Sequence, residues 1–163
     1  MDTPFHHIYN DAFGRYIIDH VKRNGHFSMP VNHFHNHYEL YYLCEGERMY
    51  FVHDRTYHVK SGNFVFINRN VLHRTLDSGI PDHERILIDI QHEWIETTYP
   101  DDCEMLLEPF VSGICVMSFP LTQMTLIKRI MAELSNEMLR QEPGYTTRGN
   151  RTASNRCTLR QKK

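Results

Sequence analysis

The sequence predicts a mainly β domain, a sandwich or barrel, followed by one C-terminal α-helix. Short runs rich in Tyr, Phe, Val and Ile succeed one another between about Phe13 and Phe119, with turn residues between them. No helical stripe interrupts them before Gln91, which argues against a parallel α/β sheet. After Pro120 the apolar spacing changes to that of a helix.

Taken in order, residues 38–44 and 49–53 flank Glu45-Gly46-Glu47, which reads as a hairpin turn. Asp54-Arg55 then leads into a strand over 56–60, and Ser61-Gly62 into one over 63–68. Strands over 71–76 and 85–91 complete the β region. In the helix, Leu121, Met124, Ile127, Met131, Leu134 and Met138 lie on one face, and Leu126, Ile130 and Leu139 widen it. That face can pack on the barrel at one edge and on another helix at the other. Pro120 suits the helix start, and Pro143-Gly144 its stop. The expected organisation is a barrel over 1–119, a dimerisation or packing helix over 120–142, and a tail over 143–163.

Charge is uneven along the chain. From Tyr145 to the end there are six basic residues and no acidic one, which leaves 12 basic against 20 acidic residues in the remainder. An acidic body suits nucleic acid poorly, because affinity there rests on neutralising phosphates. The tail is too polar to bury a core and is expected to be disordered. No stretch approaches the roughly 18 apolar residues of a membrane span, and the N-terminal 20 residues have no signal-peptide core. Cys44, Cys103, Cys115 and Cys157 form no C-x-x-C pair, which fits a reduced, cytoplasmic setting.

The chemistry-bearing segment is His33-Phe-His35-Asn-His37-Tyr-Glu39, in which positions 33, 35, 37 and 39 share one parity and would face one way on an extended strand. Imidazoles and a carboxylate are costly in an apolar interior unless they are bonded or bind something. Their donor atoms suit zinc, iron, nickel or manganese. His73 is the natural further ligand from a neighbouring strand. With 12 histidines in 163 residues an H-x-H pair is expected about once by chance; adding Glu39 and Gly46 at their spacing lowers the expectation to roughly 0.003.

His33-x-His35-x3-Glu39-x6-Gly46 resembles the first motif of the cupins, and Gly62-x5-Asn68-x-Asn70-x2-His73 is similar to the second. Asn68 and Asn70 stand where metal-binding cupins have proline and glycine, Asp77 where an asparagine is usual, and Phe27 where the first motif has its opening glycine. The resemblance implies a cupin-like double-stranded β-helix (jelly-roll barrel). The longer stretch over 35–74, with residues 84–95 and the helix around 125–137, resembles the N-terminal sensor domain of AraC-type transcriptional regulators.

That resemblance implies a small-molecule effector, often a sugar, bound in the barrel, and a homodimer made through the trailing helix. It also implies DNA binding through a C-terminal pair of helix-turn-helix motifs, for which nothing after Glu142 is a counterpart. A fragment, a disrupted reading frame and a short natural form are the three explanations. The expected pocket residues are His33, His35, Glu39, Tyr41 and His73, and His33, His35, Glu39 and His73 are the expected metal ligands. Two competing readings are a polar pocket that hydrogen-bonds an organic effector and satisfied structural histidines. His37 is expected to be displaced from the ligand set, and Tyr41 could equally be plain core. The expected dimerisation residues are Met124, Ile127, Met131, Leu134 and Met138. The alternative function, from another class, is a free-standing metallocupin dioxygenase or isomerase using the same His/His/Glu/His set.

Overall fold

The computed structural model describes residues 3–140; the basic tail and the Pro143-Gly144 stop lie outside the described residues. Eight strands run in the order β1 (Phe5–Asn10), β2 (Tyr16–Arg23), β3 (Tyr38–Val52), β4 (Arg55–Lys60), β5 (Phe64–Ile67), β6 (His73–Asp77), β7 (His83–Ile90) and β8 (Val116–Met117). Helices α1 (His92–Thr98) and α2 (Cys103–Val111) precede β8, and α3 (Leu121–Arg140) follows it. All strand pairings are antiparallel, in the path β1-β2-β7-β3-β5-β8, with β4 and β6 both added to β3. The fold is mainly β and cupin-like, as the sequence implies.

Strand β3 organises this arrangement. Its first half pairs with β7 and β5, and its second half with β4 and β6. Between the halves the register slips at Leu43/Glu45. Glu45-Gly46-Glu47 is therefore no hairpin turn but a bulged bend inside one 15-residue strand. Gly46 is required there: its φ is +88°, and a Cβ would lie 2.5 Å from the Asp82 carbonyl oxygen. An extra residue in one strand flips the inward parity. Glu39, Tyr41 and Leu43 face inward before the bulge; Arg48, Tyr50 and Val52 are the buried positions after it.

Three apolar clusters follow from that geometry. Tyr41, Leu43, Tyr50, Val52, Val59, Val65 and Ile67 fill the barrel. On the outer face of the same sheet, Tyr42, Phe64 and Ile86 pack under Met131 and Met138 of α3. Tyr38 packs with Ile95 of α1 and with Leu107 and Phe110 of α2. The sequence reading named no helix here, only one after Pro120; the two helices are 7 and 9 residues long, too short for their periodicity to stand out. The β1–β2 turn is fixed by Asp11, whose carboxylate accepts both Nε and Nη2 of Arg15 at 2.7 Å and the backbone N–H of Phe13 at 3.1 Å.

Helix α3 starts where expected, with the Pro120 carbonyl accepting from the N–H of Gln123 and Met124. Ile127, Met131, Leu134 and Met138, expected to make a dimer contact, pack on the outer face of the chain's own barrel, and Met124 lies against Gly62. Leu126, Ile130 and Leu139 form the exposed edge. Among the described residues, no helix is long and apolar enough to cross a membrane.

Candidate functional site

Glu39 is the centre of the constellation. It stands on the inward face of β3 and is 3% exposed. Tyr50, brought inward by the bulge, donates its hydroxyl to Oε1. His35 Nε2 lies 3.2 Å and His73 Nε2 3.4 Å from Oε2. His33 does not sit on the strand. It enters from the preceding loop through an antiparallel bridge to His73, with reciprocal N–H to carbonyl bonds of 3.0 and 2.9 Å, which sets the two rings 4.2 Å apart. Ligand atoms of His33, His35, Glu39 and His73 all lie within 4.8 Å of one another. The structure thus brings together all four residues expected as ligands.

The ring orientations constrain the chemistry. His35 Nδ1 bonds the His37 carbonyl at 3.0 Å, and His73 Nδ1 bonds the Val71 carbonyl at 2.8 Å. A carbonyl only accepts, so each Nδ1 carries its proton and each Nε2 is turned toward Glu39. Such a ring can face a carboxylate as an imidazolium or with a bare Nε2 and a cation between them. Two atoms of the set, His33 Nδ1 and His73 Nε2, are buried without a hydrogen-bond partner among the described residues. Orphaned donor nitrogens around a buried carboxylate fit a divalent transition metal, as does the mixed nitrogen and oxygen donor set.

Electrostatics agree. Burial acts to raise the Glu39 carboxyl, but the hydrogen bond from His35, the close approach of His73 and the hydrogen bond from Tyr50 outweigh it and hold the group well below the usual carboxylate range. Burial and the neighbouring His73 push His33 down. His37 is turned away from the ligand set, as expected. Its ring stacks on His35 at 3.8 Å, and its Nε2 lies 3.2 Å from Asp89 Oδ1. Burial and then His35 lower it to about 4. Burial and the neighbouring Glu39 push Asp89 up to about 7. His35, His37 and Asp89 form a second, overlapping set of potential ligands.

Tyr41 is 1% exposed and stands edge-on to Tyr50 at 5.2 Å; its hydroxyl has no partner among the described residues. It is both core and a polar atom aimed at nothing among the described residues. His53 and His58 are exposed, as expected. The sequence reading missed Tyr50 and Asp89. Tyr50 follows the bulge and has the opposite parity to Glu39, so only a reading that bends the strand at Gly46 would have aligned them. Asp89 pairs directly with Glu39 across β3 and β7, a register that spacing alone does not reveal.

Solved structures similar to this chain include cupins. One is an RmlC-like cupin family protein from Methanocaldococcus jannaschii, 22% identical, covering 55% of this chain and 82% of that one with a TM-score of 0.48. A cupin superfamily protein from Desulfitobacterium hafniense is 11% identical, covering 55% and 79% with a TM-score of 0.48. A protein described as a predicted oxalate decarboxylase, from Thermotoga maritima, is 21% identical, covering 48% and 70% with a TM-score of 0.45. No curated protein matches the chain. Residues 22–95, which contain Glu39 and its three histidines, match the family model of the AraC-like ligand binding domain.

Proposed function

We propose that this chain is the effector-sensing and dimerisation domain of an AraC-like transcription regulator, which binds a small molecule inside the barrel. The observation that carries the reading is Glu39, a buried carboxylate ringed by three imidazoles, within the segment that matches a ligand-binding family. His33, His35, Glu39 and His73 would hold a divalent transition metal (zinc, iron, nickel or manganese). That metal would supply a Lewis-acidic attachment point for the effector's donor atoms. Tyr50 fixes the Glu39 carboxylate from behind, and the His37 and Val71 carbonyls fix the two ring orientations.

Signal transmission follows from strands with two working faces. Tyr41 and Val65 face the interior, while their neighbours Tyr42 and Phe64 pack under α3. An effector that shifts β3 and β5 would change the seat of α3 and bias the dimer between two arrangements. The exposed edge Leu126, Ile130 and Leu139 is the surface left for the homodimer contact. DNA would be bound by a separate helix-turn-helix module, and the setting is cytoplasmic.

One observation favours a second reading. A three-histidine, one-carboxylate set is also what a metallocupin dioxygenase or isomerase would use. A thermal-shift screen of small metabolites against the wild type and His35→Ala separates the two. A compound that raises Tm saturably in the wild type alone, and is recovered unchanged, supports the sensor. A compound that is turned over, with activity lost in His35→Ala, supports the enzyme and overturns the sensor.

A further inference from the structure

The barrel interior carries a second polar cluster, of opposite sign. Arg23 on β2 pairs in register with His83 on β7, which pairs with Gly46 at the bend of β3. Arg85 lies opposite Leu43, and Arg48 follows Gly46 on the inward parity. Phe27 links them. The Arg23 guanidinium lies 4.0 Å and that of Arg48 5.9 Å from the centre of its ring, and the His83 ring centre is 6.3 Å away.

Charge is not balanced there. Arg85 is neutralised by Asp19 at 2.7 Å. Arg48 is 1% exposed, yet among the described residues no carboxylate lies within 4 Å of it. Its Nη2 donates to the Phe27 carbonyl at 2.5 Å, and its Nε has no hydrogen-bond partner among the described residues. Arg23 likewise has no carboxylate within 4 Å among the described residues and rests on the Phe27 face. His83 is held down to about 4 by its burial and by Arg48, Arg23 and Arg85. The buried Tyr41 hydroxyl, which feels the charges of Arg85 and Arg48, is also without a hydrogen-bond partner among the described residues.

A folded chain rarely keeps a buried guanidinium without a counter-charge, because desolvation opposes it. The fork of a guanidinium matches the two oxygens of a carboxylate or phosphate. An aromatic face under the ring plane leaves the edge N–H groups free to donate. We infer that Arg48 and Arg23, with the Tyr41 hydroxyl, form a binding site for an oxyanion group, carboxylate or phosphate, of the barrel's ligand. This rests on the reading of the barrel as an effector site and narrows it to anionic effectors.

The test titrates the full chain with sodium phosphate and, separately, sodium succinate, against sodium chloride at equal ionic strength, reading Tm and calorimetric heat. Arg48→Met and the less buried Arg23→Gln are compared with the wild type. The wild type should show a saturable Tm rise with at least one oxyanion. Response to phosphate alone names a phosphate ligand, and response to succinate alone a carboxylate. Both variants should bind that anion at least tenfold more weakly. Without anion, Arg48→Met should melt above the wild type, because it removes an unpaired buried charge; a purely structural arginine would give the reverse. An unchanged anion response in both variants, or no saturable response in the wild type, overturns the inference. A parallel zinc titration, lost in His35→Ala, keeps the two readings apart. Zinc uptake without an anion response sinks only the oxyanion site, and the absence of both sinks the effector site with it.

Discussion

Replacing Tyr50 with Phe removes one oxygen atom and leaves the packing shape unchanged. Tyr50 is 1% exposed and Glu39 3%, so no water takes over when the hydroxyl is lost. The Oε1 atom, which Tyr50 alone is seen to serve among the described residues, then becomes an unpaired oxygen of a buried carboxylate. A hydrogen bond to a charged group contributes about 1.5–3 kcal/mol, and stranding a buried charged acceptor lies at the upper end. We therefore expect about 2–3 kcal/mol of destabilisation, a Tm drop of roughly 4–10 °C for a domain of this size. Urea unfolding at pH 7 with EDTA present measures it without a metal contribution. A second readout is metal affinity. Loosening a group that orients a ligand costs about 10–100-fold, so zinc binding should weaken at least tenfold. A loss below about 0.5 kcal/mol with unchanged zinc affinity would refute the claim that Tyr50 fixes Glu39.

Four further outcomes are expected. Gly46→Ala should cost about 2–4 kcal/mol in urea unfolding, from a positive φ and a Cβ placed 2.5 Å from the Asp82 carbonyl oxygen. Asp11 is held at about 2, chiefly by the Arg15 hydrogen bonds, against an ordinary 3.8. Its folded value is the lower one, so its stabilisation is fully present above pH 3.8 and disappears as pH falls through 2. After allowance for the partly exposed Arg15 this amounts to about 1–2 kcal/mol. Asp11→Asn should lose that much at pH 7, and the difference from the wild type should close near pH 2. Met131→Ala, on the buried edge of α3, should cost about 2–4 kcal/mol. Leu126→Glu on the exposed edge should leave the monomer's stability within about 0.5 kcal/mol and lower the dimer mass seen by sedimentation equilibrium.

The site was more legible than the path of the chain that builds it. Parity named His33, His35 and Glu39, with His37 expected to be displaced although it shares that parity, while residues 33–37 are loop and β3 begins at Tyr38. His33 arrives through its backbone bridge with His73, a long-range pairing that no local spacing encodes. Glu45-Gly46-Glu47 carried a true signal with the wrong meaning. A glycine with positive φ serves a tight turn and a bulged strand equally, and only the continued pairing of residues 47–52 with β4 and β6 decides. The basic interior was illegible for the same reason. Arg23, Arg48 and Arg85 stand on three strands and look like ordinary surface charges until the bulge turns Arg48 inward. In α3 the stripe was read correctly as a helix face, but the sequence did not reveal which edge the barrel takes.

Metal content tests the central claim most directly. The chain is purified without a nickel column and analysed by elemental mass spectrometry, beside His35→Ala and Glu39→Gln. About one equivalent of zinc, iron, nickel or manganese in the wild type, lost in both variants, is the expected result for a closed His/His/Glu/His donor set. A wild type that is metal-free, and takes up neither zinc nor manganese on dialysis, would contradict the assignment of His33, His35, Glu39 and His73 as a metal centre.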